Sequence, residues 1–333
     1  MLLTIYHPAF KLLGITTTHG NVGLDKTTYN ALAFLELIGR TDIPVIAGAS
    51  QPFCRPGQIA DDIHGESGLA GTDLLPVPSA KPVEGRSAIQ SMYAALMGTE
   101  RNTAWLIATG PCTNAALLFA THPDVVEHIA GFSIMGGGVG DGFTPVQMGK
   151  AHIGEEIFCG NVTPFAEFNI WADPESARSV LTNTVLAQKS TILPLDVSHQ
   201  AFATEAIRDT LRNGKQGATR LRRAIHELLT FYGATYSQVY GLDQGPPLHD
   251  PLAVAVLLSD HPDEDLKIDV DDHCGERFKV DVTLEGPEMG RTVITPSESG
   301  KGVRIPRGLD LPKFWDTLNF CLEEADEATN YAM

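Results

Sequence analysis

The chain has 333 residues, of which 43% are hydrophobic and 20% charged, a composition typical of a globular protein rather than a disordered one. Its 41 acidic and 24 basic residues give a formal net charge of −17, which disfavours nucleic acid and anionic membranes as partners because their phosphates meet no positive field. Five cysteines without CxxC spacing disfavour a disulfide framework or a zinc site. Since the sequence shows neither a signal peptide nor a membrane-spanning run, we expect a cytoplasmic protein.

Short apolar segments typical of strands alternate with helical patterns along the first half of the chain. The strand-like segments are 11–16, 44–47, 105–108 and 131–135, and the helical patterns fall at 27–39, 87–98 and 114–121. Alternation at this spacing is typical of βαβ units. The sequence therefore predicts an α/β fold whose mostly parallel, open sheet is flanked by helices.

Nothing in the sequence divides the chain into separate units. It shows no internal repeat and no low-complexity linker, so we predict a single domain over residues 1–333. Within it, the alternating patterns KIDVD and FKVDVTL are typical of strands and predict a small β-rich appendage over 267–296.

Polar residues follow three of the predicted strands. The segments TTHGN (17–21), TGP (109–111) and GGG (136–138) each begin where a strand is expected to end. Each segment alone is also typical of an ordinary turn. Ligands in open α/β sheets bind beyond the carboxyl ends of the strands, so together the three loops predict a site at that edge.

The stretch GNVTPFAEFNIWADPESA, residues 160–177, carries the most informative cluster. Glu167 and Asn169 are two residues apart and face the same way in an extended segment, and Asn161 lies across a Thr-Pro bend from them. A carboxylate flanked by two carboxamides offers the acceptors and donors that sugar hydroxyls need. The Asp173-Pro174 pair further on is a typical helix start.

A histidine and an aspartate stand together before the apolar helical segment 252–258. Asp250 is suited to cap that helix, but a carboxylate is also a ligand for a hard cation such as Ca²⁺. The adjacent His249 is suited to protonate a leaving group near neutral pH.

Six motifs together resemble one family of enzymes. They are HGN (19–21), HGESGLAG (64–71), ATGPCTN (108–114), MGGGV (135–139), GNVTPFAEFN (160–169) and HDP (249–251), in the order and spacing of the inosine–uridine-preferring nucleoside hydrolases. The resemblance covers nearly the whole chain. It implies a Rossmann-like nucleoside hydrolase fold, hydrolysis of the N-glycosidic bond of ribonucleosides to ribose and free base in salvage or catabolism, and assembly as a homodimer or homotetramer.

The resemblance also implies a role for each matching residue. A Ca²⁺ ion is bound by the Asp250 side chain and the Thr109 carbonyl, and His249 lies by the leaving base as a catalytic residue. The residues implied to contact substrate are Asn21, Asn161, Glu167 and Asn169 on the ribose side and His64 in the base pocket. It leaves the choice between purine and pyrimidine open.

One family motif has no counterpart in the sequence. Family members carry a DxDxGxDD loop that supplies further Ca²⁺ ligands and the aspartate that deprotonates water, and residues 1–15 match the segment that follows it. We therefore expect the family's first strand and this loop to be missing from the chain, as in a truncated gene model.

Three functions remain to be distinguished. The first is an active nucleoside hydrolase with an incomplete recorded N-terminus, and the second is a non-catalytic nucleoside-binding protein. The third, a serine or cysteine hydrolase or a dinucleotide enzyme, is disfavoured because the sequence has no GxSxG elbow and its glycine-rich segment does not fit GxGxxG.

Overall fold

The computed structural model describes residues 1–146, 148 and 158–330. Its helices are α1 (Leu2–Tyr6), α2 (Leu24–Leu37), α3 (Asp61–His64), α4 (Ala88–Met97), α5 (Thr113–Thr121), α6 (Asp124–His128), α7 (Phe168–Ala172), α8 (Pro174–Leu181), α9 (Leu195–Ser198), α10 (Glu205–Arg212), α11 (Arg220–Tyr240), α12 (Asp250–Ala255) and α13 (Leu311–Asn330). Short 3-10 helices cover Leu186–Lys189 and Val256–Leu258. Within the described ranges, no helix has the length and apolar character needed to cross a membrane.

The strands are β1 (Ile15–Thr17), β2 (Val45–Ala47), β3 (Trp105–Ala108), β4 (Gly131–Met135), β5 (Ser190–Leu193), β6 (Val270–Asp271), β7 (Arg277–Val282), β8 (Thr292–Pro296), β9 (Val303–Arg304) and β10 (Gly308–Leu309). The main sheet has the order β3-β4-β5-β9-β7-β8, in which the first four strands run parallel and β7 is antiparallel to both of its neighbours. β1 and β2 form a parallel pair, and β6 pairs with β10 antiparallel. The predicted α/β fold with a mostly parallel sheet is confirmed.

Strand β4 lies between β3 and β5 in the main sheet. All five of its residues are buried, as expected for a parallel strand covered on both faces. One core cluster, with Phe119, Phe132 and Ile192, fills one face, and a second, with Leu35 and Phe314, fills the other. The Ser133 hydroxyl donates to the carbonyl of Ala253 over 2.6 Å and so fixes α12 against β4.

The β-rich stretch 267–296 contributes β6, β7 and β8. β7 pairs with β8 over five residues and with β9 over two, and β9 in turn pairs with β5. β7 and β8 therefore extend the main sheet, whereas the sequence suggested an appendage, and β6 pairs with β10 outside that sheet. Alternation along β7, with Phe278, Val280 and Val282 buried, predicts a strand but does not identify its partner.

A buried ion-pair cluster joins α11 to α13. Arg222 is 0% exposed and contacts Asp326 and Glu323, and it also donates to the carbonyl of Leu211 over 2.6 Å. Removing one partner of such a cluster leaves buried charges uncompensated. We expect Arg222→Ala to lower the free energy of unfolding by about 3 kcal/mol in urea denaturation.

The matched control is an exposed ion pair of the same residue types. Arg101 and Glu127 are 3.4 Å apart with side chains 63% and 64% exposed. We expect Arg101→Ala to change the free energy of unfolding by less than about 1 kcal/mol. Equal effects of the two substitutions would show that the buried cluster does not stabilise the packing of α11.

Candidate active site

One cavity of about 370 Å³ opens at the carboxyl edge of the parallel strands. This is the edge at which ligands bind in open α/β sheets. The structure brings together all eight residues predicted for the site, since each lines this cavity: Asn21, His64, Thr109, Asn161, Glu167, Asn169, His249 and Asp250. Their individual roles stay predictions.

Different elements carry these residues to the cavity. Asn21 lies in the loop after β1, and Thr109 directly follows β3. Glu167 caps the amino end of α7, and His249 and Asp250 stand at the start of α12. Because α12 is fixed to β4 through Ser133, the last two are held rigidly against the sheet.

The Glu167 carboxylate is buried and already bonded to backbone. Its Oε1 accepts from the amide of Asn169 over 2.9 Å, and its Oε2 accepts from Gly137 over 2.9 Å and from Ile170 over 3.1 Å. Burial raises the pKa of Glu167 to about 7, although these three hydrogen bonds lower it. The residue therefore caps α7 and anchors the glycine-rich loop, a structural role that the sequence pattern did not reveal.

Each of the two asparagines beside Glu167 bonds to the backbone through one of the two polar atoms of its side-chain amide. Asn161 Oδ1 accepts from the amide of Phe168 over 2.9 Å, and Asn169 Nδ2 donates to the carbonyl of Met135 over 3.2 Å. The opposite amide atoms, Asn161 Nδ2 and Asn169 Oδ1, bond to none of the described residues. A donor and an acceptor therefore remain for a ligand in the cavity.

Asp250 differs from Glu167 in having no protein partner. Its side chain is exposed to the cavity, and its carboxylate accepts no hydrogen bond from the part of the chain that the structure describes. The protein atoms packed around it reduce its solvation and raise the pKa of Asp250 to about 6, while the Met1 ammonium lowers it. A deep carboxylate without a donor is suited to a cation.

The described residues supply only part of a metal shell. Asp250 offers a carboxylate and Thr109, also exposed to the cavity, carries a backbone carbonyl. Between residues 1 and 330, outside the gaps at 147 and 149–157, no three His, Cys, Asp or Glu side chains form a group able to hold a metal ion. Calcium takes about six to eight oxygens, so these two residues do not complete its coordination.

The imidazole of His249 is bonded at both nitrogens. Nε2 lies 2.9 Å from the Tyr236 hydroxyl oxygen, and Nδ1 lies 2.7 Å from Ser198 Oγ. Burial lowers the pKa of His249 well below its usual value, and the nearby His199 and His64 add to this effect. The two hydroxyl partners therefore fix the orientation of the ring.

His64 lies at the end of α3, against α11. Its Nδ1 is 3.3 Å from the Tyr232 hydroxyl oxygen, and the two rings meet edge to face. Burial lowers the pKa of His64 to about 4. The loop after it is held by α2, since Lys26 and Asn30 donate to the carbonyls of Glu66 and Ser67.

Several aromatic residues also line the cavity. Tyr232, Tyr236 and Tyr240 repeat every four residues and so share one face of α11, and Phe168 and Trp171 come from α7. The tyrosine spacing is visible in the sequence, but the same spacing is typical of a packed core. The partner of Tyr236, His249, could not be predicted from spacing alone.

The glycine-rich loop after β4 has a structural role. The carboxylate of Asp196 accepts from the amides of Val139 and Gly140 over 2.7 and 2.9 Å. A Cβ atom on Gly138 would lie 1.6 Å from the carbonyl oxygen of Cys159. These amides are therefore bonded within the protein, and the loop does not form a phosphate cradle.

Comparison with known proteins decides the family. The model of the inosine-uridine preferring nucleoside hydrolases matches residues 1–316. The chain belongs to this family. The uridine nucleosidase of Saccharomyces cerevisiae is 32% identical over 338 residues, which cover 98% of this chain and 92% of that protein. The inosine-uridine preferring nucleoside hydrolase of Leishmania major is 31% identical, with 93% and 88% covered.

Solved structures of nucleoside hydrolases have the same fold. The purine-preferring ribonucleoside hydrolase from Gardnerella vaginalis superposes with a TM-score of 0.73 at 24% identity, covering 98% of this chain and 95% of that one. The prediction of a nucleoside hydrolase enzyme with this fold is confirmed. The cavity is lined by residues from all six family motifs. It is thus the candidate active site of this nucleoside hydrolase.

Proposed function

We propose that the protein hydrolyses the N-glycosidic bond of ribonucleosides, giving ribose and the free base, in nucleoside salvage or catabolism. The observation that carries the proposal is the convergence of eight polar residues from five separate motifs on one cavity. The volume of about 370 Å³ is within the range of small-molecule sites.

The sugar lies at the Asn161, Glu167 and Asn169 end of the cavity. Asn161 Nδ2 and Asn169 Oδ1 face no protein partner among the described residues and are suited to bond ribose hydroxyls. Cleavage passes through a transition state with oxocarbenium character. The Glu167 carboxylate, fixed by three backbone amides, stabilises that positive charge without having to reorganise.

The base departs towards α11 and His64. A leaving base needs a proton. His249 and Tyr236 are suited to supply it, because His249 Nε2 and the Tyr236 hydroxyl oxygen lie 2.9 Å apart and form a hydrogen bond. The aromatic rings of α11 cover the flat faces of a base and exclude water. This arrangement supports the assignment of His249 as a catalytic residue and of His64 to the base pocket.

Ca²⁺ is the cofactor that this proposal includes, bound in part by Asp250 and Thr109. When bound, it would supply an anchor for ribose hydroxyls and water, with Asp250 and Thr109 as two of its ligands. Asp250 lies near enough to the Met1 ammonium to influence it. The amino end of the described chain therefore lies close to this carboxylate.

Cellular location and assembly are also part of the proposal. The acidic composition and the scattered cysteines fit a cytoplasmic enzyme. Family resemblance supports a homodimer or homotetramer, which light scattering of the purified protein would measure.

The test is an assay of ribose release from uridine, cytidine, inosine and adenosine. We expect the full-length protein, with its N-terminus established by intact mass of the native material, to release ribose from at least one of them. The same assay on the 333-residue chain shows whether these residues alone release ribose. Binding without release by the full-length protein would instead favour a nucleoside-binding protein.

A further inference from the structure

A buried serine lies against His249 on the edge of the ring opposite Tyr236. Ser198 ends α9 and is 0% exposed, and its Oγ lies 2.7 Å from His249 Nδ1. At the other edge, Nε2 lies 2.9 Å from the Tyr236 hydroxyl oxygen. The imidazole is thus held between two hydroxyl groups, and a neutral ring donates at one nitrogen and accepts at the other.

The surroundings of Ser198 decide which nitrogen accepts. Within residues 1–146, 148 and 158–330, its hydroxyl has one hydrogen-bond partner, His249 Nδ1. If Nδ1 carried the proton, the serine hydrogen would be buried without an acceptor, at a cost of about 1–3 kcal/mol. Donation from Ser198 to Nδ1 avoids that cost and leaves the ring hydrogen on Nε2.

We infer that Ser198 is a positioning residue that fixes both the orientation of His249 and its Nε2-protonated tautomer. The inference rests on the proposed function, because it concerns how a leaving base receives a proton. Nε2–H then donates to the Tyr236 oxygen, and the hydroxyl hydrogen of Tyr236 is free to point into the cavity. Ser198 does not itself line the cavity among the described residues and acts through His249.

The tautomer is measured directly by long-range proton–nitrogen correlation spectra of histidine labelled with nitrogen-15. His249→Gln identifies the signals that belong to His249. We expect the wild-type spectrum to show Nδ1 unprotonated and Nε2 protonated, and Ser198→Ala to mix or reverse this pattern. A wild-type ring protonated at Nδ1, or a pattern unchanged by Ser198→Ala, would overturn the inference.

Kinetics provide the second measurement. We expect Ser198→Ala in the full-length protein to lower kcat on its best ribonucleoside by about tenfold, part of the roughly 10²–10⁴-fold that a positioned general acid contributes. With 4-nitrophenyl β-D-ribofuranoside, whose leaving group departs as a stable anion, kcat should change less than about twofold. An equal loss on both substrates would contradict a role through leaving-group protonation.

Two variants separate positioning from a structural effect. Ser198→Thr keeps the hydroxyl and should restore the wild-type tautomer and kcat. Ser190, equally buried, donates to the carbonyl of Leu186 over 2.8 Å, and Ser190→Ala should lower the melting temperature without changing the His249 spectrum. The spectrum needs no turnover. A protein inactive on every ribonucleoside would therefore refute the proposed function, while the spectrum alone would still decide the inference about Ser198.

Discussion

Glu167→Ala should lower kcat on every accepted ribonucleoside by about a thousandfold, the upper range for loss of one preorganised electrostatic group. The variant should also lose stability, because the amides of Gly137, Asn169 and Ile170 lose their acceptor. We expect the free energy of unfolding to fall by about 3 kcal/mol. Steady-state kinetics at a temperature where both proteins remain folded, with urea denaturation in parallel, measure the two effects separately.

The control for the lost helix cap is Ser87→Ala at the start of α4. Ser87 and Gln90 form a capping box far in sequence from the cavity residues. Its loss should lower the free energy of unfolding by about 1 kcal/mol and leave kcat unchanged. If Glu167→Ala hydrolysed its best substrate within tenfold of wild type, the assignment of Glu167 to the ribose site would be wrong.

Asp250→Asn should strongly lower activity and abolish any stabilisation by Ca²⁺. At a hundredfold excess over its Kd, a ligand stabilises the folded protein by about 2.7 kcal/mol, which raises the melting temperature of wild type. The asparagine variant should show no such rise, and kcat should fall by about a thousandfold because a bound cation contributes several kcal/mol. Thorough chelation of wild type should reproduce both losses.

In metal-free buffer, the asparagine variant should melt at or above the wild-type temperature. Burial disfavours the charge on Asp250, which has no hydrogen-bond donor among the described residues, so an amide there removes an unfavourable group. Asp62→Asn is the matched control, an acidic residue lining the same cavity, and it should keep the response to Ca²⁺. A calcium response that survives Asp250→Asn would place the cation elsewhere.

The regular elements near the centre of the fold could be predicted from sequence. β3 and β4 begin and end where their apolar runs do, at 105–108 and 131–135. The buried strand β4 is continuously hydrophobic or small, as expected for a parallel strand covered on both faces, whereas β3 at the edge of the sheet is only partly buried. The α8 helix begins after Asp173, whose carboxylate accepts from the amide of Ser176 as a helix cap. The cavity residues could be predicted because ordered motifs identify a family.

Long-range side-chain partners could not be predicted in the same way. Nothing in the spacing of Glu167 indicates that Gly137, 30 residues earlier, donates to it. The contact of Ser198 with His249 and the burial of Arg222 against Asp326 likewise depend on tertiary packing. Strand partners behave similarly, since β7 alternates like any half-buried strand yet pairs with β9 inside the main sheet.

A crystal structure of the full-length protein with Ca²⁺ and a ribonucleoside analogue, in which carbon replaces the glycosidic nitrogen, tests the central claim most directly. We expect the ribose hydroxyls within hydrogen-bonding distance of Asn161 and Asn169, the cation on Asp250, and the base between His64 and Tyr236. An analogue bound outside the cavity, or one with its base against Asp250 and its ribose against α11, would contradict the account.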